Sequence, residues 1–343
     1  MTPIAVRQVD SNDSWIFKVY ERLLADIREL TKVPLGTPCE ISDDWLLKQA
    51  PKLDKELLLY LEGIGEYPIF PEWLIPLTDK FRSSMDGNDL LYIRQLLLFC
   101  YKAELEPTHE QLKEAQASFE DTEASIGTWD DHFIGNPAYH MFATARQIVG
   151  KVIYRIDWRS ILPQHGPGAV YPSEYTHAKS RFRSIYTTIE QYYPFAEYLC
   201  GLPNFIWDHM VAGHQDIVER DKIISRLIAV PKDSRGPRLI CVHPKEAIWI
   251  QQGCRRNLEA AIMSPRSVTH GRITFNDQTT NGKLALSSSI TREFCTLDLK
   301  EASDRLSCKL IRYLFGDYAY EYISCSRATH VRLLDDRVIE LRK

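Results

Sequence analysis

The spacing of apolar residues changes along this chain, and that change restricts the fold more than any single motif. Over the first 150 residues the spacing is helical. Leu23, Leu24, Ile27 and Leu30 in WIFKVYERLLADIREL recur three and four apart, as on one face of an α-helix. Ser42, Asp43 and Asp44 stand as a cap before the next helix, DDWLLKQA. LLYIRQLLLFCYKAEL reads as a third helix, apolar on most sides and therefore buried. From residue 226 the pattern shortens and becomes β-rich, with RLIAV and RLICV flanking the turn-like PKDSRGP. FCTLDL (294–299) reads as another buried strand, running into KEASDRLSCKLIRYLF at helical spacing. HVRLLDDRVIEL reads as two strands joined at Asp335-Asp336. Helices and strands thus occupy separate runs without strict βαβ alternation, which predicts an α+β chain.

At 343 residues there is room for two or three domains. With 44% hydrophobic and 26% charged residues the composition is globular, which excludes a disordered or collagen-like chain. No apolar run reaches the ~18–20 residues that cross a bilayer, and the first residues lack the pattern of a secretory signal. None of the eight cysteines sits at C-x-x-C spacing, so neither a zinc knuckle nor a disulfide scaffold is indicated. The chain reads as soluble, reduced and cytosolic. Its net charge of −4 hides a division: residues 1–150 carry 14 Lys+Arg against 25 Asp+Glu, and residues 151–343 carry 28 against 21. The basic second half suits an anionic partner, although ordinary solvated surface accounts for the same excess. A soft boundary is expected near 125–150, where the composition turns polar.

Several segments could carry chemistry. HGPGAV (165–170) holds Gly166 and Gly168 around Pro167 and must be a loop. Around it Tyr154, Tyr171, Tyr175, Tyr186, Tyr192 and Tyr193 are interleaved with Lys and Arg, a pattern for stacking bases or, equally, for interior tyrosines using their hydroxyls. VPKDSRGPRL places Lys232, Arg235 and Arg238 at three-residue intervals between strands. Three cations on a tight loop suit a triphosphate, the alternative being an exposed basic turn. In TLDLKEASDRLS, Asp298 at a strand end suits a divalent metal such as Mg²⁺ or Mn²⁺. Asp304, six positions on, either joins that pocket or supports the helix N-terminus. His209 and His214 lie five apart and do not form a metal pair.

Taken in order, HGPGAV, VPKDSRGPRLICVHP, FNDQTTN (275–281) and TLDLKEASDRLS resemble the replicase catalytic subunit of single-stranded RNA bacteriophages, the levivirus RNA-dependent RNA polymerases. The resemblance implies a right-hand polymerase: an acidic, mainly helical N-terminal region (1–150), fingers (151–290) and the start of the palm (291–343). It assigns Lys232, Arg235 and Arg238 to the incoming triphosphate, Asp298 to the catalytic metals and Asp304 to the ribose. Asn276 and Asp277, with the Gly166 and Gly168 loop, are expected to order the fingers around the template. The reaction implied is two-metal nucleotidyl transfer with Mg²⁺. The partners implied are RNA, ribonucleoside triphosphates, host elongation factors Tu and Ts and a ribosomal protein, in the bacterial cytoplasm.

The family's Gly-Asp-Asp hairpin has no counterpart in this sequence. Gly316-Asp317 lies in or beside a helix, and Asp335-Asp336 reads as a surface turn. Remaining palm and thumb are therefore absent from the expected architecture. The 343-residue chain is expected not to polymerise alone, and its palm strands are expected to leave an apolar face bare. The competing reading is a non-catalytic protein that binds RNA or nucleotides.

Overall fold

The computed structural model describes residues 15–36, 45–102, 107–133, 139–173, 179–200, 217–233, 236–277, 279–299 and 301–343. The chain forms two compact units, residues 1–115 with 229–238, and residues 116–228 with 239–343. Helix and sheet are mixed, in keeping with an α+β chain.

Among its described residues, the regular structure of the first unit is helical apart from the strand residues 229–233 and 236–238. α1 (Trp15–Thr31) buries Tyr20, Leu24 and Ile27, one helical stripe, whereas Leu30 is 65% exposed and takes no part in it. The Tyr20 hydroxyl donates to the Leu96 carbonyl at 2.9 Å, so its burial leaves no polar atom unmet. The Ser42–Asp44 cap lies outside the described residues. A π-helical turn, Trp45–Gln49, runs into α2 (Ala50–Leu61), where Pro51 sits in the first turn and needs no amide partner. α3 (Ile75–Ser84) ends at Met85 in a left-handed conformation. Asp86 then caps α4 (Gly87–Leu98), accepting from the Asn88 amide. The third predicted helix is therefore shorter than expected. It is buried on one face, through Ile93, Leu96 and Leu97, while Leu91 is exposed. Two buried carboxylates each have a cation: Asp89 takes Lys80 at 2.8 Å, and Asp54 takes the Arg94 fork at 2.8 and 3.3 Å.

The second unit begins within α5 (His109–Asp131) and continues through α6 (Tyr139–Ile153), which packs on α11 (Cys308–Ser324). Its core gathers Trp158, Phe182, Tyr193, Ile250, Val331 and Leu333. A small parallel pair joins β1 (Ser184–Tyr186) to β2 (Val218–Arg220), and single helical turns α7 (Thr187–Glu190) and α8 (Phe195–Tyr198) follow β1. The larger sheet has the order β4-β3-β5-β6. β3 (Ile224–Asp233) and β4 (Gly236–Val242) are the expected RLIAV and RLICV strands. β5 (His330–Arg332) runs parallel to β3 with Arg226 opposite Arg332. β6 (Val338–Glu340) returns antiparallel across the Asp335-Asp336 turn, as the sequence predicts. Asp336 is left-handed there, with φ of 64°, a conformation that aspartate tolerates better than most residues. After β4, α9 (Lys245–Met263) and α10 (Thr279–Thr291) lead to 292–299. None of the helices is long and apolar enough to cross a membrane among the described residues.

Two expectations fail at 294–306. FCTLDL is neither a strand nor buried: the segment has no regular structure, and Leu297 is 85% exposed. Its alternation is that of a strand, but a strand exists only where an edge supplies hydrogen bonds, and no described strand pairs with it. The helical pattern of KEASDRLSCKLIRYLF starts late as well. Ser303–Arg305 is a 3₁₀ turn, and α11 begins only at Cys308, where the Ser307 hydroxyl accepts from the Leu310 amide at 3.0 Å.

Replacing Arg94 by Met would leave the Asp54 carboxylate buried without its cation. Urea unfolding of the first unit is expected to show a loss of about 2–3 kcal/mol, below the value for a pair buried on both sides because Arg94 reaches solvent. An unchanged midpoint would show that the pair contributes nothing to stability.

Candidate functional site

Two of the three cations expected on a tight loop lie instead on neighbouring strands. Lys232 lies near the end of β3 and Arg238 near the start of β4, both exposed, and Arg235 lies outside the described residues. Neither Lys232 nor Arg238 has an ion-pair partner among the described residues, so their charge is available to an anion. Both belong to the first unit, whereas Asp298 and Asp304 belong to the second.

Asp298 lies in the exposed 292–299 segment, not at the end of a buried strand as expected. Asp304 is half-buried on the 3₁₀ turn, not on the emerging helix, and its carboxylate accepts from Lys343 Nζ at 2.8 Å. Among the described residues no group of three His, Cys, Asp or Glu side chains could hold a metal. One exposed carboxylate does not fit a two-metal centre, which needs several converging oxygen ligands.

FNDQTTN acquires a physical role. Asp277 Oδ1 accepts from the Thr279 amide at 2.8 Å and from its hydroxyl at 2.7 Å, and Oδ2 accepts from the Thr280 hydroxyl at 2.8 Å. The carboxylate thus closes the N-terminus of α10, where unpaired amides favour an anion. Hydrogen bonds from the Thr279 and Thr280 side chains hold its pKa below the ordinary aspartate value. Asn276 reaches back toward Met263 Sδ at 3.9 Å.

The Gly-Pro-Gly loop is built around one of the cations interleaved with the tyrosines, and that cation is spent on the loop's own carbonyls. Lys179 is buried, and its ammonium donates to the carbonyls of Pro167 and Gly168, while its own carbonyl meets His165 Nε2 at 2.8 Å. A carbonyl pair offered to one ammonium fixes the loop without any regular ladder. A Cβ at Gly166 or Gly168 would meet nothing within 4 Å, so neither glycine is required by crowding. Nearby, Glu246 at the start of α9 accepts from the Arg183 and Ser184 amides at 3.0 and 3.2 Å, and burial pushes its carboxyl pKa up. Of the interleaved tyrosines, Tyr186 and Tyr193 are interior. The Tyr193 hydroxyl donates to the Trp158 carbonyl at 2.8 Å, which supports the packing reading for these two. Tyr154 is exposed beside the Arg155 guanidinium, and Tyr175 lies outside the described residues, as do His209 and His214.

The two near-misses for Gly-Asp-Asp are placed as expected. Gly316 interrupts α11 with φ of 78°, and Asp317 pairs with Arg312 at 2.5 Å. Asp335 takes the Arg337 side chain at 2.8 Å in the hairpin turn.

Residues 203–343, which contain the cation loop, FNDQTTN and both aspartates, match the family model described as RNA replicase, beta-chain. The resemblance read from the motifs is therefore shown for this part of the chain. The RNA-directed RNA polymerase subunit beta of Enterobacteria phage SP is 31% identical over 119 residues, 35% of this chain and 20% of that protein. The beta chain of Enterobacteria phage GA is 33% identical over 112 residues, 33% of this chain and 20% of its own length. That of Escherichia phage MS2 is 28% identical over 131 residues, 38% and 23% respectively. The matched stretch thus spans about a fifth of the curated relatives.

The Asp277 cap has a pH signature. Because its pKa is depressed in the folded chain, the stabilisation is complete above the ordinary value of 3.8 and is lost as pH falls through the lower folded value. Amide-exchange protection at the start of α10 is expected to persist at pH 4.5 and to collapse at that pH in Asp277→Ala. Equal protection in the two proteins would remove the cap from the account.

Proposed function

We propose that this chain contributes the nucleotide-handling part of an RNA-templated RNA polymerase that replicates an RNA phage genome. The observation that carries the reading is the single family match over 203–343, which encloses Lys232, Arg235, Arg238, Asn276, Asp277, Asp298 and Asp304 in one order. In this reading residues 151–290 are fingers, residues 291–343 open the palm, and residues 1–150 are an acidic helical region before them. Lys232, Arg235 and Arg238 grip the triphosphate by fork and point charge. Asp304 accepts a hydrogen bond from the ribose 2′-hydroxyl, the group that separates RNA precursors from DNA precursors. Asp277 sets the start of α10, and the Lys179-bound loop of Gly166 and Gly168 gives the template side a fixed edge. Asp298 is the carboxylate that the family resemblance assigns to Mg²⁺ or Mn²⁺, and by itself it does not make a metal site.

The partners proposed are an RNA template and ribonucleoside triphosphates, in the cytoplasm of a bacterial host. Host elongation factors Tu and Ts and a ribosomal protein rest on the family resemblance alone. A second reading has the chain binding RNA or nucleotide without catalysis, with Lys232 and Arg238 exposed and without ion-pair partners among the described residues.

Titration of the 343-residue chain with GTP tests the common part of both readings. Lys232→Ala and Arg238→Ala are each expected to weaken binding by about tenfold, the worth of one charge-assisted contact. RNA binding is expected to fall linearly in log affinity against log salt. A chain that binds neither GTP nor RNA at low salt refutes both readings. Primer extension by the chain is expected to be absent, and extension that Asp298→Ala abolishes would replace the binding reading with a complete catalytic one.

A further inference from the structure

The length of α5 from Gln116 onward belongs to no motif, yet Glu301, Arg305, Leu334, Arg337, Arg342 and Lys343 are fastened to it. Gln116, Glu120 and Glu123 share one helical face and meet the β5–β6 hairpin. Gln116 Oε1 accepts from the Leu334 amide at 3.0 Å, and Glu120 takes the Arg337 guanidinium at 2.7 Å. Glu123, only 4% exposed, accepts from the Arg342 amide at 2.9 Å and pairs with Lys343 Nζ at 3.0 Å. Gly127, one turn on, leaves room for the Arg342 side chain, which a Cβ there would meet at 1.7 Å. On the adjoining face, Thr122 donates to Glu301 Oε2 at 3.2 Å, and Ser125 Oγ accepts from Arg305 at 3.4 Å. These two contacts bracket the turn that carries Asp304.

Lys343 joins the two faces. Its ammonium sits between Glu123 and Asp304, at 3.0 and 2.8 Å, and over the Phe119 ring at 4.2 Å. Burial alone would lower its pKa, but the bonds to Asp304 and Glu123 outweigh that and hold the charge on. One cation shared between two anions fixes a distance between them. Glu123 cannot turn to water, so the more exposed Asp304 is the carboxylate whose position is being set.

We infer that Glu123 is a positioning residue for ribose recognition, acting through Lys343 on Asp304. The inference rests on the reading of Asp304 as the group that meets the 2′-hydroxyl. With Glu123 neutral, Lys343 belongs to Asp304 alone and competes with the ribose for the same oxygens. Discrimination between ribose and deoxyribose then falls, while the grip on the triphosphate is kept.

The measurement is the ratio of GTP to dGTP affinity for the 343-residue chain, with folding checked by circular dichroism. Asp304→Ala is expected to bring the ratio close to one. Glu123→Gln and Lys343→Gln are each expected to lower it by about tenfold, with dGTP affinity little changed, and Lys343→Arg to restore most of it. Glu120→Gln, which cuts another contact of the same helix, is expected to leave the ratio unchanged. A wild-type ratio of one, or an Asp304→Ala ratio equal to wild type, overturns the ribose reading and the inference with it. A ratio lost in Asp304→Ala but retained in Glu123→Gln and Lys343→Gln overturns the inference alone. Equal loss in Glu120→Gln also overturns it, because the effect would then be general loosening. Should Glu123→Gln fail to fold, the Lys343 pair of variants decides the matter.

Discussion

Glu123 is a carboxylate shielded from water, and a charge in that position is costly unless the surrounding chain answers it. Here the answer comes from residues more than two hundred positions later, a backbone amide and an ammonium side by side at 342–343. That one requirement orders much else. The hairpin must lie along α5 so that its last strand delivers these donors, and the turn at 301–305 must lie beside it so that Asp304 can share the ammonium. The apolar core beneath, with Val331 and Leu333 fully buried, supplies most of the cohesion. Direction and register along the helix come from polar contacts, because apolar packing by itself is not directional.

The Gly-Pro-Gly loop is held on the same plan with the signs reversed. There a buried ammonium, Lys179, gathers carbonyl oxygens of a segment that has no ladder of its own. Both arrangements fix irregular backbone through one ion inside the protein. Near Asp277 the same task falls to threonine hydroxyls, and the exposed setting makes that cap the more open to solvent and acid.

What could be read from the sequence divides by how local its cause is. The β3 and β4 strands, the Asp335-Asp336 turn and the helical first half follow from periodicity and turn chemistry within a few residues. The motifs within 203–343 carried the resemblance that the family match bears out there. The failures share a different cause. FCTLDL has the alternation of a strand, yet a strand depends on an edge that no local pattern can promise. Leu30 fits the α1 stripe by spacing yet is exposed near the helix end, while Tyr20, whose hydroxyl finds Leu96, joins Leu24 and Ile27 in the core. Glu123 and Lys179 left no signal that would mark them as buried. The spacing of Gln116, Glu120 and Glu123 does place them on one face, but an acidic helical face ordinarily means solvent. Only the partner at the far end of the chain shows otherwise.

The parallel register of β3 with β5 has a consequence in time. Ile224 lies opposite His330, so the two strands are separated by about a hundred residues of chain. At roughly 5–20 residues per second of synthesis, β3 waits several seconds on the ribosome before its neighbour exists. During that interval its hydrogen-bonding edge is offered to whatever is nearby, and pairing so distant in sequence closes slowly even once both strands are made. Anything that occupies that edge while the ribosome finishes its work would protect it from wrong pairing.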